Sequence, residues 1–197
     1  MDAYSYTNRG KVFANAATGN IILMTLKICE GKFLESVNYL IPITSFAIGV
    51  AVCEIIKHRK ENINMIHWRQ ILVLVEIVAF IVVAFLPQEM NQIANSIISL
   101  VSGVQFATFP KIRDVVIATT MCTGNLKNGT QNLYRGISTG DKLSIEKGLY
   151  YYICILIFIA GTALGYFAVG LFNEKAILIA AVMLTLIFLM MFKEFEN

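Results

Sequence analysis

Glu76 is the one carboxylate set well inside an uninterrupted apolar stretch, Ile71–Leu86. Holding an ionised carboxylate in hydrocarbon costs a few kcal/mol, roughly 2.5 or more, so such a residue points to proton coupling. Its other reading is structural: Arg69 lies within two turns, and the side chain then reaches the interface or a basic partner. Two further sets of polar residues sit among apolar ones, Thr18-Gly19-Asn20 and Thr123-Gly124-Asn125. Buried amides and hydroxyls without partners are costly. Facing helix breaks at these triplets would offer freed backbone groups and helix-end dipoles to a polar or charged ligand. Alternatively the side chains cap the breaks and bond between helices, with Gly19 and Gly124 allowing close approach. Gln105, Lys111, Arg113 and Asp114 surround the entrance to the second triplet. Arg113 and Asp114 read first as markers of the cytoplasmic interface; the alternative is a gate or an anion-attracting mouth.

Other chemistry is not written here. There is no HExxH, no GxSxG with a base and no close pair of carboxylates, so no catalytic residue is assigned and no enzyme is expected. Cys29, Cys53, Cys122 and Cys154 are far apart and lack CxxC spacing, and His58 and His67 flank a basic loop. No metal site and no cofactor are expected, and the cysteines read as small buried hydrophobes.

These residues need elements to hold them, and the composition says of what kind. Of 197 residues 57% are hydrophobic and 15% charged, with a mean hydropathy of +0.67. Soluble domains are nearer a quarter charged. The excess lies in blocks of about twenty residues, the length that crosses roughly 30 Å of hydrocarbon as a helix. The expected segments are Val12–Cys29, Val37–Ile56, Ile71–Leu86, Ile93–Phe109, a short Val115–Asn125, Gly148–Phe172 and Ala176–Phe192. Between them the loops are brief except for a polar stretch, Leu126–Lys147. The fold class is therefore an all-α integral membrane protein of about six transmembrane helices, in one domain over 1–197. The net charge of +3 is spread over loops, which excludes a nucleic-acid face.

Basic loops orient the spans, because they stay cytoplasmic. Lys57 to Arg69 is the strongest such loop; Pro87-Gln88-Glu89 carries no basic residue and should be external. Lys111 and Arg113, then Lys127, Arg135, Lys142 and Lys147, return inside, and Asn173-Glu174-Lys175 is an external turn. The C-terminus is then cytoplasmic, Trp68 serves as an interfacial anchor, and Val115–Asn125 is a re-entrant or broken helix. No signal peptide opens the chain.

The two TGN triplets begin matching series of elements. Each is followed by a polar connection, a span with a glycine (Gly49, Gly161), a turn and another apolar span. The chain thus divides into repeats of about 1–87 and 88–197, with opposite predicted orientations. Inverted repeats of this kind are common in secondary transporters, where interrupted segments mark the substrate site. Glu76 has no acidic counterpart in the second repeat. Gly161 and Gly165 form a GxxxG spacing, suited to packing within the chain more than to dimerisation.

The stretches MDAYSYTNRGKVFANAATGNIILM and SGVQFATFPKIRDVVIATTMCTGNL, with the later glycine-bearing spans, resemble the YoaK family of small bacterial transmembrane proteins. That family is of unknown function and often described as small-molecule transporters. The resemblance covers almost the whole chain and implies a multi-pass protein of the bacterial inner membrane. The chain departs from the family at its front, where Asp2-Ala3 falls within a G-x-x-D-A motif that an apolar stretch usually precedes. The first repeat is therefore expected to be truncated by about one apolar segment. The expected function is a small-molecule secondary transporter or permease, with Thr18, Gly19, Asn20, Thr123, Gly124, Asn125 and Gln105 at the substrate site. Glu76, Arg113 and Asp114 would couple or gate. The alternatives are a membrane scaffold acting through the polar Leu126–Lys147 stretch and a membrane-embedded enzyme. Expected partners are the lipid bilayer, a small-molecule substrate and, as a homo-oligomer, a second copy of the chain.

Overall fold

The computed structural model describes residues 1–59, 68–109 and 122–193, and every regular element among them is helical. In chain order these are α1 (Asp2–Asn8), α2 (Ala17–Cys29), α3 (Phe33–Arg59), α4 (Trp68–Ala84), α5 (Asn91–Thr108), α6 (Cys122–Thr139), α7 (Lys142–Phe172) and α8 (Leu178–Lys193). Short 3-10 turns, Gln88–Met90 and Asn173–Ile177, join α4 to α5 and α7 to α8. The chain forms two compact units, Met1–Thr108 with Gly165–Asn197, and Phe109–Leu164.

Four of the expected apolar blocks lie within or nearly within α3, α4, α7 and α8, and α5 takes up the fifth. Two expectations need correction. Val12–Cys29 is helical only from Ala17, because Gly10 and Lys11 take positive φ (88° and 61°) and turn the chain. The polar stretch Leu126–Lys147 is not a loop: α6 runs to Thr139 and α7 starts at Lys142. Its helicity follows from contacts rather than from apolar content. A Cβ at Gly129 would stand 3.1 Å from that of Tyr151, one at Gly148 2.7 Å from the Leu133 side chain, and one at Gly136 2.5 Å from Ile145. Three glycines thus let α6 and the start of α7 lie backbone to side chain in a tight hairpin. Asp141 starts α7: its carboxylate accepts from the Leu143 amide (3.1 Å) and from the Ser144 hydroxyl (2.6 Å), a helix N-cap. Gly140, at φ 72°, makes the turn before it. Most of Val115–Asn125 lies outside the described residues.

Among the described residues, two stretches are long and apolar enough to cross a membrane, Phe33–His58 and Lys142–Met191, the second holding both α7 and α8. Only 17% and 11% of their most apolar windows are buried within the protein, whereas the core helix of a soluble domain hides its apolar face. On α4, Leu74, Val75, Val78, Ile81 and Val82 point outward, while Gln70 and Glu76 are buried. An apolar outer face, with the polar side chains turned inward among apolar ones, is unlike a soluble helix, which turns its polar residues outward.

The first unit is centred on α4. Val73, Ile77, Phe80, Val83 and Ala84 pack with Ala94, Ile98 and Val101 of α5, and with Ala181 and Leu184 of α8. Tyr4 and Ala14 join this cluster, so α1 and the turn after it are part of the core. Beside it, α3 crosses α5 at two glycines. A Cβ on Gly49 would run into the Leu100 carbonyl, and one on Gly103 into the Phe46 carbonyl. Small residues that let backbones touch are the usual adhesive of membrane helices. The Cys53 thiol and the Thr108 hydroxyl meet at 3.4 Å further along the same crossing.

Candidate functional site

The N-terminal segment builds the densest polar site in the first unit. Asp2, Ser5 and Arg9 are spaced i, i+3 and i+7, one side of a helical run. The Asp2 carboxylate accepts from the Asn15 amide at 2.8 Å and the Ala16 amide at 3.4 Å. Those amides immediately precede α2, whose own N-cap residue, Ala16, has no capping side chain. Asp2 therefore supplies the negative charge that the start of α2 favours. The Ser5 hydroxyl accepts from the Ala14 amide at 3.0 Å. The amides of Ala14, Asn15 and Ala16, just before α2, are thus met by side chains of the N-terminal segment.

The first TGN triplet opens α2. Asn20 is 1% exposed. Its Oδ1 accepts from the Phe13 amide at 3.0 Å and its Nδ2 donates back to the Phe13 carbonyl. Gly19 lies under the Phe13 ring, where a Cβ would come within 2.8 Å of it. Both residues hold the turn in this conformation. Thr18 is exposed and Gly19 half-buried. The second triplet likewise opens a helix, α6, in the other compact unit. Asn125 is buried on the face that carries Gly129 and Gly136, Thr123 is half-exposed or more, and a Cβ at Gly124 would meet nothing within 4 Å. The two triplets share a position in the first turn of a helix, but only the first glycine is closely covered.

Arg9, which the sequence did not single out, is 0% exposed. Its Nε donates to the Tyr4 hydroxyl (2.9 Å), its Nη2 to the Val83 carbonyl (2.9 Å), and its Nη1 to the Pro87 carbonyl and Asn91 Oδ1 (both 3.2 Å). The guanidinium also lies over the Tyr4 ring, 5.6 Å from its centroid. No carboxylate pairs with it among the described residues. Its counter-charge is the carbonyl end of α4, the negative pole of that helix. Around it, the Tyr4 hydroxyl donates to the Glu174 carbonyl (2.9 Å), and Gln88 Nε2 bonds both Glu174 Oε1 (2.5 Å) and Asn8 Oδ1 (3.3 Å). The Gln88 amide holds the Glu174 carboxyl below the usual carboxylate range. One polar knot therefore ties α1 to the α4–α5 and α7–α8 turns.

A polar stripe continues along α5 as Asn91, Asn95, Ser99 and Ser102, at helical spacing. Asn95 Nδ2 donates to the Arg9 carbonyl at 2.7 Å, and the Ser102 hydroxyl meets the Met1 sulfur at 3.6 Å. The segment from Met1 to Arg9 thus lies along this stripe. Several buried oxygens here have no hydrogen-bond partner among the described residues: Glu76 Oε1, Asn95 Oδ1, Asn15 Oδ1 and Ser99 Oγ. Buried polar atoms in folded proteins are nearly always bonded to protein or water, so unpaired acceptors mark a place for a donor. Glu76 is 3% exposed on the inner face of α4. Gln105 is half-buried one turn beyond the stripe on α5. Arg113 and Asp114 lie outside the described residues. The structure brings Thr18, Gly19 and Asn20 together with Asp2 and Ser5, places Glu76 and Gln105 on neighbouring helices of the same unit, and puts Thr123, Gly124 and Asn125 in the other.

No group of three or more His, Cys, Asp or Glu side chains fit for a metal ion occurs among the described residues. No curated protein matches the chain. No solved structure matches it either. A family model described as a protein of unknown function, DUF1275, matches residues 1–190; the chain belongs to this family, as its resemblance to the YoaK family implies.

Proposed function

We propose that the protein is a multi-pass membrane protein that carries a small polar solute across the bilayer as a secondary transporter or permease. One observation supports this above others. Helices with apolar outer faces enclose a core stripe of Asn95, Ser99 and Ser102 with Glu76 on the neighbouring helix, and three of these carry unpaired buried oxygens. A purely structural membrane bundle gains nothing from such groups, which are expensive in hydrocarbon and mark solute or ion routes. In this reading about six helices span the membrane in two inverted halves. The TGN triplets open the short helices α2 and α6, and the C-terminus is cytoplasmic. Gln105, one turn beyond that stripe on α5, is the further side chain offered to the solute, and each TGN triplet shapes the start of its own helix, with no catalysis and no cofactor. Thermal-shift screening of the purified protein against a metabolite panel, followed by uptake of each stabilising compound into proteoliposomes, tests it. Saturable uptake supports transport; stabilisation without uptake into sealed vesicles overturns it.

A second reading has its own support. The hairpin of α6 exposes Leu126, Tyr134 and Ile137 next to Lys127 and Arg135, a surface suited to holding another protein. Deleting Lys127–Thr139 would then abolish function while substitutions at the TGN triplets leave it intact; the transport reading expects the triplets to matter.

A further inference from the structure

We propose that Glu76 is a proton-binding site in the membrane interior, loading and releasing one proton during the working cycle; this rests on the membrane reading above. Its carboxyl is 3% exposed and Oε1 has no hydrogen-bond partner among the described residues. The helices packed on α4 bring no opposite charge to it. α5 contains no Asp, Glu, Lys, Arg or His, and α8 has none before Lys193 at its far end. From α3, Cys53 packs beside Leu72, while Glu54 and Lys57 pair with each other at 3.6 Å on the exposed side. From the α7–α8 turn come Glu174 and Lys175, at the opposite end of α4 from its start. From α1 come Asp2, bonded to the amides before α2, and Tyr4 and Arg9, engaged with each other. Arg9 is bound at Val83, seven residues or about 10.5 Å along α4 from Glu76, and Arg69, seven residues the other way on α4, is exposed with its guanidinium over the Trp68 ring.

Among the described residues an anionic carboxylate here would have neither counter-ion nor donor, whereas a carboxylic acid needs neither. The acid's O–H is also a donor, and α5, which packs on α4 in the same core, carries the buried Ser99 hydroxyl without a partner among the described residues. Release of the proton becomes affordable only when water or a cationic solute reaches the carboxyl. That requirement links protonation to opening of the bundle, the physical basis of proton-coupled movement.

Dicyclohexylcarbodiimide, an apolar reagent, tests this directly. It adds to a protonated carboxyl: the acid proton moves to a carbodiimide nitrogen, the carboxyl oxygen bonds the central carbon, and rearrangement leaves a stable N-acylurea with no group lost. Full-length protein in proteoliposomes is treated from pH 6 to 10 and digested for mass mapping. The expected adduct is on Glu76, falling on the order of tenfold per pH unit once the carboxyl begins to ionise, with Glu54 and Glu174 unmodified at neutral pH. Glu76→Asp retains the adduct at position 76 and Glu76→Gln abolishes it. If Glu76→Gln does not fold, the pH profile of the unaltered protein carries the test alone. Absence of the adduct at every pH, a pH-independent adduct, or equal modification of Glu54 and Glu174 overturns the proposal. Carbonate extraction keeps the two readings separate. Protein stripped from membranes at high pH refutes the membrane reading, while retained protein without the adduct refutes only the role of Glu76.

Discussion

Gly103 of α5 lies against the carbonyl of Phe46 on α3, so closely that a single methyl group there has no room. The reciprocal contact of Gly49 with Leu100 makes the crossing symmetric in kind. The obstacle is backbone on both sides, so rotating a side chain cannot relieve it. Gly103→Ala and Gly49→Ala are each expected to cost about 1–3 kcal/mol, the usual scale of overpacking. Thermal unfolding in detergent reads this directly. Gly161→Ala, at a helix position where the added Cβ meets nothing within 4 Å, should leave the melting temperature unchanged or slightly raised. Equal loss in all three variants would mean that the crossing is looser than described.

Arg9→Lys keeps the charge but not the planar fork that reaches Tyr4, Val83, Pro87 and Asn91 together. Hydrogen bonds to charged groups contribute about 1.5–3 kcal/mol each and the lysine can remake only part of the set. The variant should unfold at lower denaturant, with proteolysis appearing first at the α1–α2 turn. A lysine variant as stable as the parent would show that charge alone suffices.

Asn20→Asp retains the acceptor for the Phe13 amide and loses the donor to the Phe13 carbonyl. A loss of about 1–3 kcal/mol follows from leaving that carbonyl unpaired beside a new buried charge. Hydrogen exchange at the amides of residues 13 to 16 should speed up in this variant more than exchange within α3. Unchanged exchange at the turn would remove Asn20 from its structural role.

Asp141 caps α7 through Ser144 and the Leu143 amide, and the Ser144 hydroxyl is the main reason its carboxyl is held below the usual value. A carboxyl lowered by folding stabilises the folded state above its ordinary pKa, about 3.9, and this contribution disappears as pH falls through the lowered value. Fraying of the first turn of α7 is therefore expected below about pH 4 and not between pH 5 and 8. Amide exchange at Leu143–Ile145 against pH checks it, and Asp141→Asn should make the fraying independent of pH.

Much of this arrangement is legible in the chain, for a physical reason. An apolar helix satisfies its own backbone, so block length and apolarity alone locate α3, α4, α7 and α8, and a carboxylate among them is conspicuous. Other features depend on distant partners. Arg9 stands among polar residues and resembles a solvated side chain; its burial is decided by groups 74 to 82 residues away. Only the i, i+3, i+7 spacing of Asp2, Ser5 and Arg9 hints at a shared face. The helix α6 is hidden for the opposite reason. Its glycines and asparagines are poor helix formers, and they are helical because Tyr151 and Ile145 of α7 fill the space at Gly129 and Gly136, while Leu133 fills that at Gly148 of α7. Asn20 lies between: its type and place suggest a helix break, but not that the turn at Phe13 uses both ends of its amide.

The knot around Arg9 also has a consequence for the order in which the protein is made. Arg9 leaves the ribosome long before Val83, Pro87 and Asn91, and Tyr4 is finished 170 residues before Glu174, whose carbonyl it needs. The helix α1 therefore has no complete lodging until the α7–α8 turn, some 170 residues further on, has been made. Until Val83, Pro87 and Asn91 have followed, the Arg9 guanidinium lacks the partners that bury it, and its docking fixes α1 only after they are in place.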